Sequence, residues 1–554
     1  MRYKILNEEY GLSLIERLIK VRGIAEQDYE GFFNPNFNNS RKNPFLLNDM
    51  DKAVARIIQA LKKREKIIIF GDYDVDGITA SFCLYEFITK FLKYDKTKIS
   101  ILYPDRKEDG YGMKKKHIDQ MKQEWADLVI TVDNGITSLE EAKYAKTINL
   151  DLIITDHHQI LETVPEALAV VNPNCSEKYP FKWLCGAWVA LKLIVAILEK
   201  STFTKEVKNQ IFNYFLPIVT IGSVADVVPL FDENRLLVKK GLELMNKKEV
   251  PPFLQGFIDF LKTKKEIDTT MIGFQIAPRI NAWGRLTTPY DSLQIFLHEW
   301  AAQIPYLEKL EEINAKRKKL QEEGIEFAEE HLNFEKKILI VANEDFHEGV
   351  IGIIAGRLTE KYHKPSVVFK IDHQKGEATA SLRGPEYFSI IEMLIAHQHL
   401  VERCGGHQGA WGLTVKLDHF DELCKQLETY CEEKIDDQNL EKELLIDTKI
   451  FPEERNQKNF ERLEKFAPFG EGNPEPVFFF ENIEVHNIEK IGKSWVGHMK
   501  IFGKRWEKLI QIIFRKRWDQ CNVIADHISV IGKIQKDERN GGYLIIWEEL
   551  VERE

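Results

Sequence analysis

Three short runs of apolar, mostly β-branched residues, Ile67–Phe70, Leu128–Val132 and Leu152–Thr155, each stop at a cluster of acidic or imidazole side chains. No other feature constrains the fold as much. Strands of this length separated by helical stretches imply βαβ units and a parallel sheet. In an open parallel sheet ligands bind beyond the carboxyl ends of the strands, so the residues after these runs gather in one crevice. The first run is followed by Gly71-Asp72-Tyr73-Asp74-Val75-Asp76-Gly77, the second by Asp133-Asn134-Gly135, the third by Asp156-His157-His158. A fourth carboxylate, Asp226 in SVADVVPL, follows the apolar run Phe215–Ile221 and can join them.

Gathering this many carboxylates without cations costs several kcal/mol per ion in desolvation and repulsion. Oxygen ligands with imidazole suit Mg²⁺ or Mn²⁺, and two such ions can clamp a phosphate and generate hydroxide at neutral pH. Taken singly, each cluster reads as a turn or helix cap; together, at corresponding strand ends, they read as a metal site. Asp72-x-Asp74-x-Asp76-Gly77 also matches the start of a calcium EF-hand loop, but Cys83 stands where the loop needs Glu, and a strand precedes it. A phosphatase with an aspartyl nucleophile ranks second, since it leaves Asp156, His157, His158 and Asp226 without work.

At 554 residues the chain needs several cores. The opening MRYKILNEEYGLSL has no apolar signal region, and the apolar run Trp188–Leu198 is broken by Lys192 and too short to span a bilayer. Seven cysteines without a CxxC pair argue against a disulfide framework or structural zinc. A cytoplasmic protein with no membrane segment is expected. The net charge of −10 counts against a nucleic-acid partner, although a carboxylate-rich metal site is itself acidic until its ions arrive.

Residues 1–60 read as helical, residues 61–304 as the catalytic α/β domain, and the charged stretch 305–337 as a connecting helix. A second, smaller α/β lobe, residues 338–436, carries strand Ile338–Val341, helix Val350–Tyr362 and strand Ser366–Ile371, and closes on Gly405-Gly406-His407. From 443 to 554, short alternating runs (VFFF, HMKIFG, LIQIIF) read as a small all-β barrel.

The succession DYDVDG, VDNG, TDHH, SVADVVPL resembles the DHH phosphoesterase family, and within it the RecJ-type single-strand-specific exonucleases. The likeness runs over nearly the whole chain. PDRKEDGYG at Pro104–Gly112 resembles the family's R-x-x-E-G-Y-G loop, with Asp109 as a departure. GFQIAPRINAWGRL at Gly273–Leu286 and PFGEGNPEPVF at Pro468–Phe478, the latter opening an OB-fold, are specific to the RecJ branch and absent from shorter DHH phosphodiesterases and pyrophosphatases. The resemblance implies two α/β lobes joined by a long helix, plus an OB-fold domain. It implies Asp74 and Asp133, with Asp72 close by, for one metal, and Asp76, Asp133, His157 and Asp226 for the other, with His158 facing the scissile phosphate. Phe70 stands where some DHH enzymes have a histidine ligand.

For nucleic acid, Arg279, Asn281 and Arg285 are expected in a loop whose guanidinium groups suit phosphate oxygens. In the second lobe, GVIGIIAGRL places small residues at a helix start that favours phosphate, flanked by His347 and Arg357. Gly405, Gly406 and His407 resemble the family's GGH turn, which contacts the strand. Ala380 replaces the arginine of a family Arg-Ser pair, leaving Ser381 and Arg383 for that contact. Trp188 and Trp283 stand where small residues are usual. In the barrel, KRWEKLIQIIFRKRW interleaves cations with Trp506, Phe514 and Trp518, which read equally as stacking platforms or as barrel core.

The expectation is a two-metal, single-strand-specific 5′→3′ DNA exonuclease acting in repair and recombination, as a monomer, with a helicase or a single-strand-binding protein as its protein partner. The polarity rests on the resemblance alone. A phosphodiesterase for short oligonucleotides or cyclic dinucleotides and a non-catalytic replication scaffold are the rivals; the two RecJ-branch segments argue against the first, the intact acidic ladder against the second.

Overall fold

A computed structural model describes residues 2–551 apart from 36–40, 106–108, 111, 161–162, 264, 408–409, 492–493, 502–507, 515–526 and 538–541, with residue 407 and most residues from 484 onward described as backbone alone. The chain divides into two units. The larger holds residues 5–284, 288–308 and 445–554, the smaller residues 1–4, 285–287 and 309–444.

In the larger unit five parallel strands, β1 (Ile67–Gly71), β2 (Ile99–Leu102), β3 (Leu128–Val132), β4 (Asp151–Thr155) and β5 (Ala169–Val171), lie in the order β2-β1-β3-β4-β5. β1 and β3 are buried along their whole length, which is why they read as unbroken apolar runs rather than alternating ones. On one face Ile68, Phe70, Val129 and Ile154 pack with Ile118, Met121, Ala142 and Ala145 from helices Lys115–Gln123 and Leu139–Thr147. The other face carries α1 (Val75–Glu86) and α2 (Gly186–Glu199), on which α3 (Lys205–Ala225) stacks. The strand order reverses between β1 and β3. In a doubly wound sheet of this order, that switch point is where a ligand binds.

Further along, α4 (Asp232–Asn246) is followed by a π-turn, Ile272–Ile276, that runs directly into α5 (Ala277–Leu286). Helix α6, Ile304–His331, occupies most of the stretch expected to be helical from 305 to 337. In the smaller unit β6 (Leu339–Asn343), α7 (Glu348–Tyr362), β7 (Ser366–Asp372), β8 (Glu377–Arg383), β9 (Arg403–His407) and β10 (Ala410–Lys416) form a mixed sheet in the order β9-β10-β8-β7-β6. Only the β6–β7 pair is parallel, as a crossover through α7 requires.

Strands Phe478–Ile491, Ser494–Ile501, Lys508–Phe514, Gly542–Val551 and His527–Asp537 neighbour one another in that order, and the last pairs back onto the first. Five strands closed in this way make an OB barrel.

Two expectations about these regions need correcting. The first 60 residues do not begin as helix: Arg2–Asn7 is a strand lying beside Glu443–Lys449, and RYKILN carries no helical apolar period. The all-β reading from 443 is interrupted by helix Gln457–Leu463 and by the proline-rich segment before Phe478.

That segment is fastened to the catalytic domain. The guanidinium of buried Arg235, on α4, donates to the carbonyls of Lys465, Phe466, Ala467 and Pro468. Asn473 Nδ2 donates to Phe466 and Pro468, and the Leu230 amide to Glu471 O at 2.7 Å. The carbonyls of residues 465–468, leading into the PFGEGNPEP signature, are thus held by Arg235, with Asn473 of the signature sharing two of them. Among the described residues no helix is long and apolar enough to cross a membrane.

Candidate metal centre

The loop after β1 closes on itself. A Cβ on Gly77 would lie 2.4 Å from Asp72 O, so only glycine lets the start of α1 return so near the end of the strand. Asp74 caps α1: its Oδ1 accepts the amides of Asp76 (2.9 Å) and Gly77 (3.1 Å). Asp76, in the first turn, is 1% exposed, and its carboxylate accepts the Gly186 amide and the Ala187 amide (3.0 Å) from the start of α2. A helix N-terminus stabilises negative charge, so α2 holds Asp76 as an anion would be held.

Asp133 follows β3 with φ +61°, a left-handed backbone that turns its carboxylate back over the strand ends. The approach is tight: a Cβ on Gly186 would lie 2.5 Å from Asp133 Cβ, and one on Gly222 would lie 2.8 Å from Asp76 Oδ1. His157 Nε2 stands 3.1 Å from Asp133 Oδ1, 3.6 Å from Asp226 Oδ2 and 3.9 Å from Asp76 Oδ2. Asp226 caps the end of α3. Three groups have ligand atoms all within 4.8 Å of one another: Asp72 with Asp74 and Asp133, Asp76 with His157 and Asp226, and Asp133 with His157 and His158.

Asp156 belongs to none of these groups. Its Oδ1 accepts the amides of His157 (2.7 Å) and His158 (3.1 Å) and meets His158 Nδ1 at 2.7 Å, while Oδ2 accepts the Ile136 amide. Asn172 and Asn174 hold the carbonyls of His158 and His157 from beyond β5. These residues hold the His158 imidazole and the backbone of both histidines, and sequence reading gave none of them a role of its own. The signal was there in part, since Asp156 sits beside the histidines and Asn172-Pro173-Asn174 reads as a turn. Nothing in the sequence foretells that Gly186, 110 positions beyond Asp76, meets its carboxylate.

Burial, then repulsion from Asp76, Asp74, Asp72 and Asp226, pushes the Asp133 carboxyl well up. Burial and the neighbouring carboxylates raise Asp226 likewise, and burial raises Asp76 although His157 opposes it. Crowding buried carboxylates together disfavours their charged forms, and a divalent ion would relieve that repulsion. The donor set, carboxylate oxygens and imidazole nitrogens in three groups, of which the Asp133–His157–His158 group overlaps the other two, fits hard or borderline divalent cations. Asp156 differs: burial opposes its charge, but His158 and the amides bring it down to about 2, and burial of His158 is outweighed by Asp156, which lifts it to about 9.

Phe70 is no ligand. It lies in the core beneath the sheet, 5.2 Å from the His117 ring. Arg279, Asn281 and Arg285 lie on helix α5 rather than in the expected loop, because the π-turn continues into it and Pro278 is tolerated in a first turn. Asn281 Oδ1 accepts the Val75 amide at 3.1 Å, and a Cβ on Gly284 would meet Tyr73 O at 2.6 Å. This part of the APRINAWGR segment thus braces the DYDVDG loop, and Asn281 belongs to loop positioning. Arg279 Nη1 donates to Gln275 O.

In the smaller unit Arg285 O lies where a side chain on Gly349 would go, at 2.2 Å. His347 Nδ1 accepts the Gly349 amide and so caps α7 itself. Arg357 is exposed and paired with Glu360. Arg383 Nη1 donates to Ser381 Oγ at 3.0 Å, and a Cβ on Gly352 would lie 3.0 Å from both side chains, so these three converge. β8 alternates, with Ala378, Ala380 and Leu382 facing the core. Position 380 therefore faces the core, whereas Ser381 and Arg383 lie on the opposite face. Gly405 and Gly406 lie in β9, where a Cβ on Gly406 would strike Ala410 O at 2.3 Å. The side chains of His407 and Phe514, and all of Trp506, Trp518, Arg106, Glu108 and Tyr111, lie outside the described residues. Trp283 is fully buried, and Trp188 packs against Phe212 with Lys192 Nζ 5.0 Å from its ring.

A doubly wound sheet with a carboxylate–imidazole set at its switch point defines a metal-dependent phosphoesterase. The comparisons agree: residues 66–222 match the DHH family N-terminal domain, 335–433 the DHHA1 domain and 446–544 the RecJ OB domain. The single-stranded-DNA-specific exonuclease RecJ of Bacillus subtilis (strain 168) is 30% identical, covering 97% of this chain and 68% of that one. Its counterpart in Escherichia coli (strain K12) is 29% identical over 78% of each. A crystal structure of exonuclease RecJ bound to manganese is 28% identical with TM-score 0.61, covering 71% of this chain and 96% of that one. RecJ in complex with Mn²⁺ from Thermus thermophilus shares the fold at TM-score 0.82 and 24% identity, covering 100% of this chain and 80% of that one. The chain belongs to the RecJ family of DHH phosphoesterases.

Proposed function

We propose that the chain is an exonuclease that hydrolyses single-stranded DNA from its 5′ end with two divalent cations, Mg²⁺ or Mn²⁺. The observation that carries this is the convergence of Asp72, Asp74, Asp76, Asp133, His157 and Asp226 at the switch point of the sheet, in a chain whose relatives are named single-stranded-DNA-specific exonucleases. Asp72, Asp74 and Asp133 would hold one ion, and Asp76, Asp133, His157 and Asp226 the other. When bound, such a pair supplies hydroxide at neutral pH and offsets charge on the attacked phosphate.

The chain's own groups position the rest. Asp156 engages Nδ1 of His158, so Nε2 is the nitrogen offered to the scissile phosphate. Arg279 and Arg285, with His347, Arg357, Ser381, Arg383 and the Gly405-Gly406-His407 end of β9, would bind strand phosphates. The OB barrel favours a polymeric strand over a short oligonucleotide or cyclic dinucleotide. A cytoplasmic monomer working beside a helicase or a single-strand-binding protein, in repair and recombination, is the setting that the family resemblance suggests.

Digestion of 5′- and 3′-labelled single strands, duplex and cyclic dinucleotide with Mg²⁺ or Mn²⁺ tests the reading. Release of labelled mononucleotide first from the 5′-labelled single strand is expected. Preference for duplex or dinucleotide, or cleavage without added cation after chelation, would overturn it.

A further inference from the structure

The two chain segments that deliver Gly186 and Asp226 to the metal centre also carry an exposed aromatic cluster. Trp183 is 51% exposed and Phe231 38% exposed, and their ring centroids lie 5.6 Å apart at 60°. Buried Phe181 backs both, at 6.0 Å from Trp183 and 5.6 Å from Phe231. The cluster is built rather than accidental. Asn234 Nδ2 donates to the carbonyls of Trp183 and Pro229, tying the two segments together, and Lys42 Nζ, paired with Asp232, lies 5.3 Å from the Phe181 ring.

The cluster lies within a few residues of the metal centre along the chain. Trp183 precedes Gly186, whose amide donates to Asp76, by three residues, a reach of about 11 Å at most. Phe231 follows Asp226 by five residues, through exposed Val227. Two exposed rings set edge to face offer apolar faces on which a flat ring can stack. A duplex stacks its own bases and presents none to such a surface; an unpaired strand does.

We propose that Trp183 and Phe231 form a stacking platform for unpaired bases next to the scissile nucleotide, and that the platform contributes to selection of single strands. This rests on the nuclease reading above. Binding of fluorescent oligothymidylate, measured by anisotropy in chelator, reads the platform without cleavage. Trp183→Ala and Phe231→Ala should each weaken binding about ten-fold, while Trp183→Phe retains most of it. Trp125→Ala, which removes an 84% exposed tryptophan at the amino end of β3, should leave it unchanged. Melting temperatures of the four variants check that each is folded. Unchanged affinity in both alanine variants, or equal loss in Trp125→Ala, would overturn the platform and leave the nuclease reading standing. A wild-type chain that binds no single strand in chelator would overturn the platform, while the digestion above decides the nuclease reading on its own.

Discussion

Gly186→Ala should silence the enzyme without touching any ligand. The added Cβ would sit 2.5 Å from Asp133 Cβ and 2.7 Å from its Oδ1, about 1 Å inside the separation at which carbon atoms rest. Helix α2 or the Asp133 turn must yield. The turn has φ +61° with the Asp133 amide donating a hydrogen bond to Thr155 O at 3.1 Å, and α2 is buried along nearly its whole length. Movement of α2 takes the Gly186 and Ala187 amides from Asp76; movement of Asp133 displaces the carboxylate proposed to serve both ions. A displacement near 1 Å at a catalytic group costs about 10²-fold in rate, and overpacking costs about 1–3 kcal/mol of stability. Single-turnover hydrolysis of a 5′-labelled strand should fall by about 10²-fold, with weaker Mn²⁺ binding by calorimetry. A folded variant within threefold of wild-type rate would show that the contact is soft and the reasoning wrong.

Three further outcomes are expected. Asp133→Ala should abolish hydrolysis while the protein stays folded, and activity within tenfold of wild type at saturating Mn²⁺ would dismiss the two-ion assignment. Arg279→Ala should weaken strand binding more than turnover and make its salt dependence shallower by about one unit of log–log slope; an unchanged slope would return Arg279 to its helix contact. In metal-free protein, Asp156→Asn should be less stable than wild type by about 3 kcal/mol at pH 6, because Asp156 raises His158 from its usual 6.5 to about 9. A raised histidine contributes stability below its unfolded value and loses it as pH rises through the folded one, so the gap in melting temperature should narrow between pH 6.5 and 9. A gap that widens over that range would contradict the pairing.

The catalytic sheet was legible because strands covered on both faces have no choice but to be apolar throughout, and their ends then stand out as charged. What the sequence could not separate is two kinds of carboxylate. Asp156 and Asp133 look alike after their strands, yet one accepts amides and an imidazole while the other is held among carboxylates with its pKa pushed up. Arg279 and Asn281 are expected in a loop, but a π-turn leads directly into α5 and carries them on a helix. Gly186 and Gly222 have no local signature, since what excludes a side chain there comes from residues far off in sequence.

The fastening of the PFGEGNPEP segment bears on how such a protein can be rebuilt. Arg235 grips four carbonyls upstream of the barrel and lies nine positions beyond Asp226, so an active-site neighbourhood and the root of the OB barrel share one anchor. A barrel grafted from a relative at the strand boundary, Phe478, should therefore keep its mooring, because residues 465–473 stay with their arginine. A graft made at 443, where the sequence changes character, would carry in a foreign segment and leave Arg235 facing carbonyls it was not shaped to hold. Exchange between members of this family is expected to tolerate the later junction and fail at the earlier one.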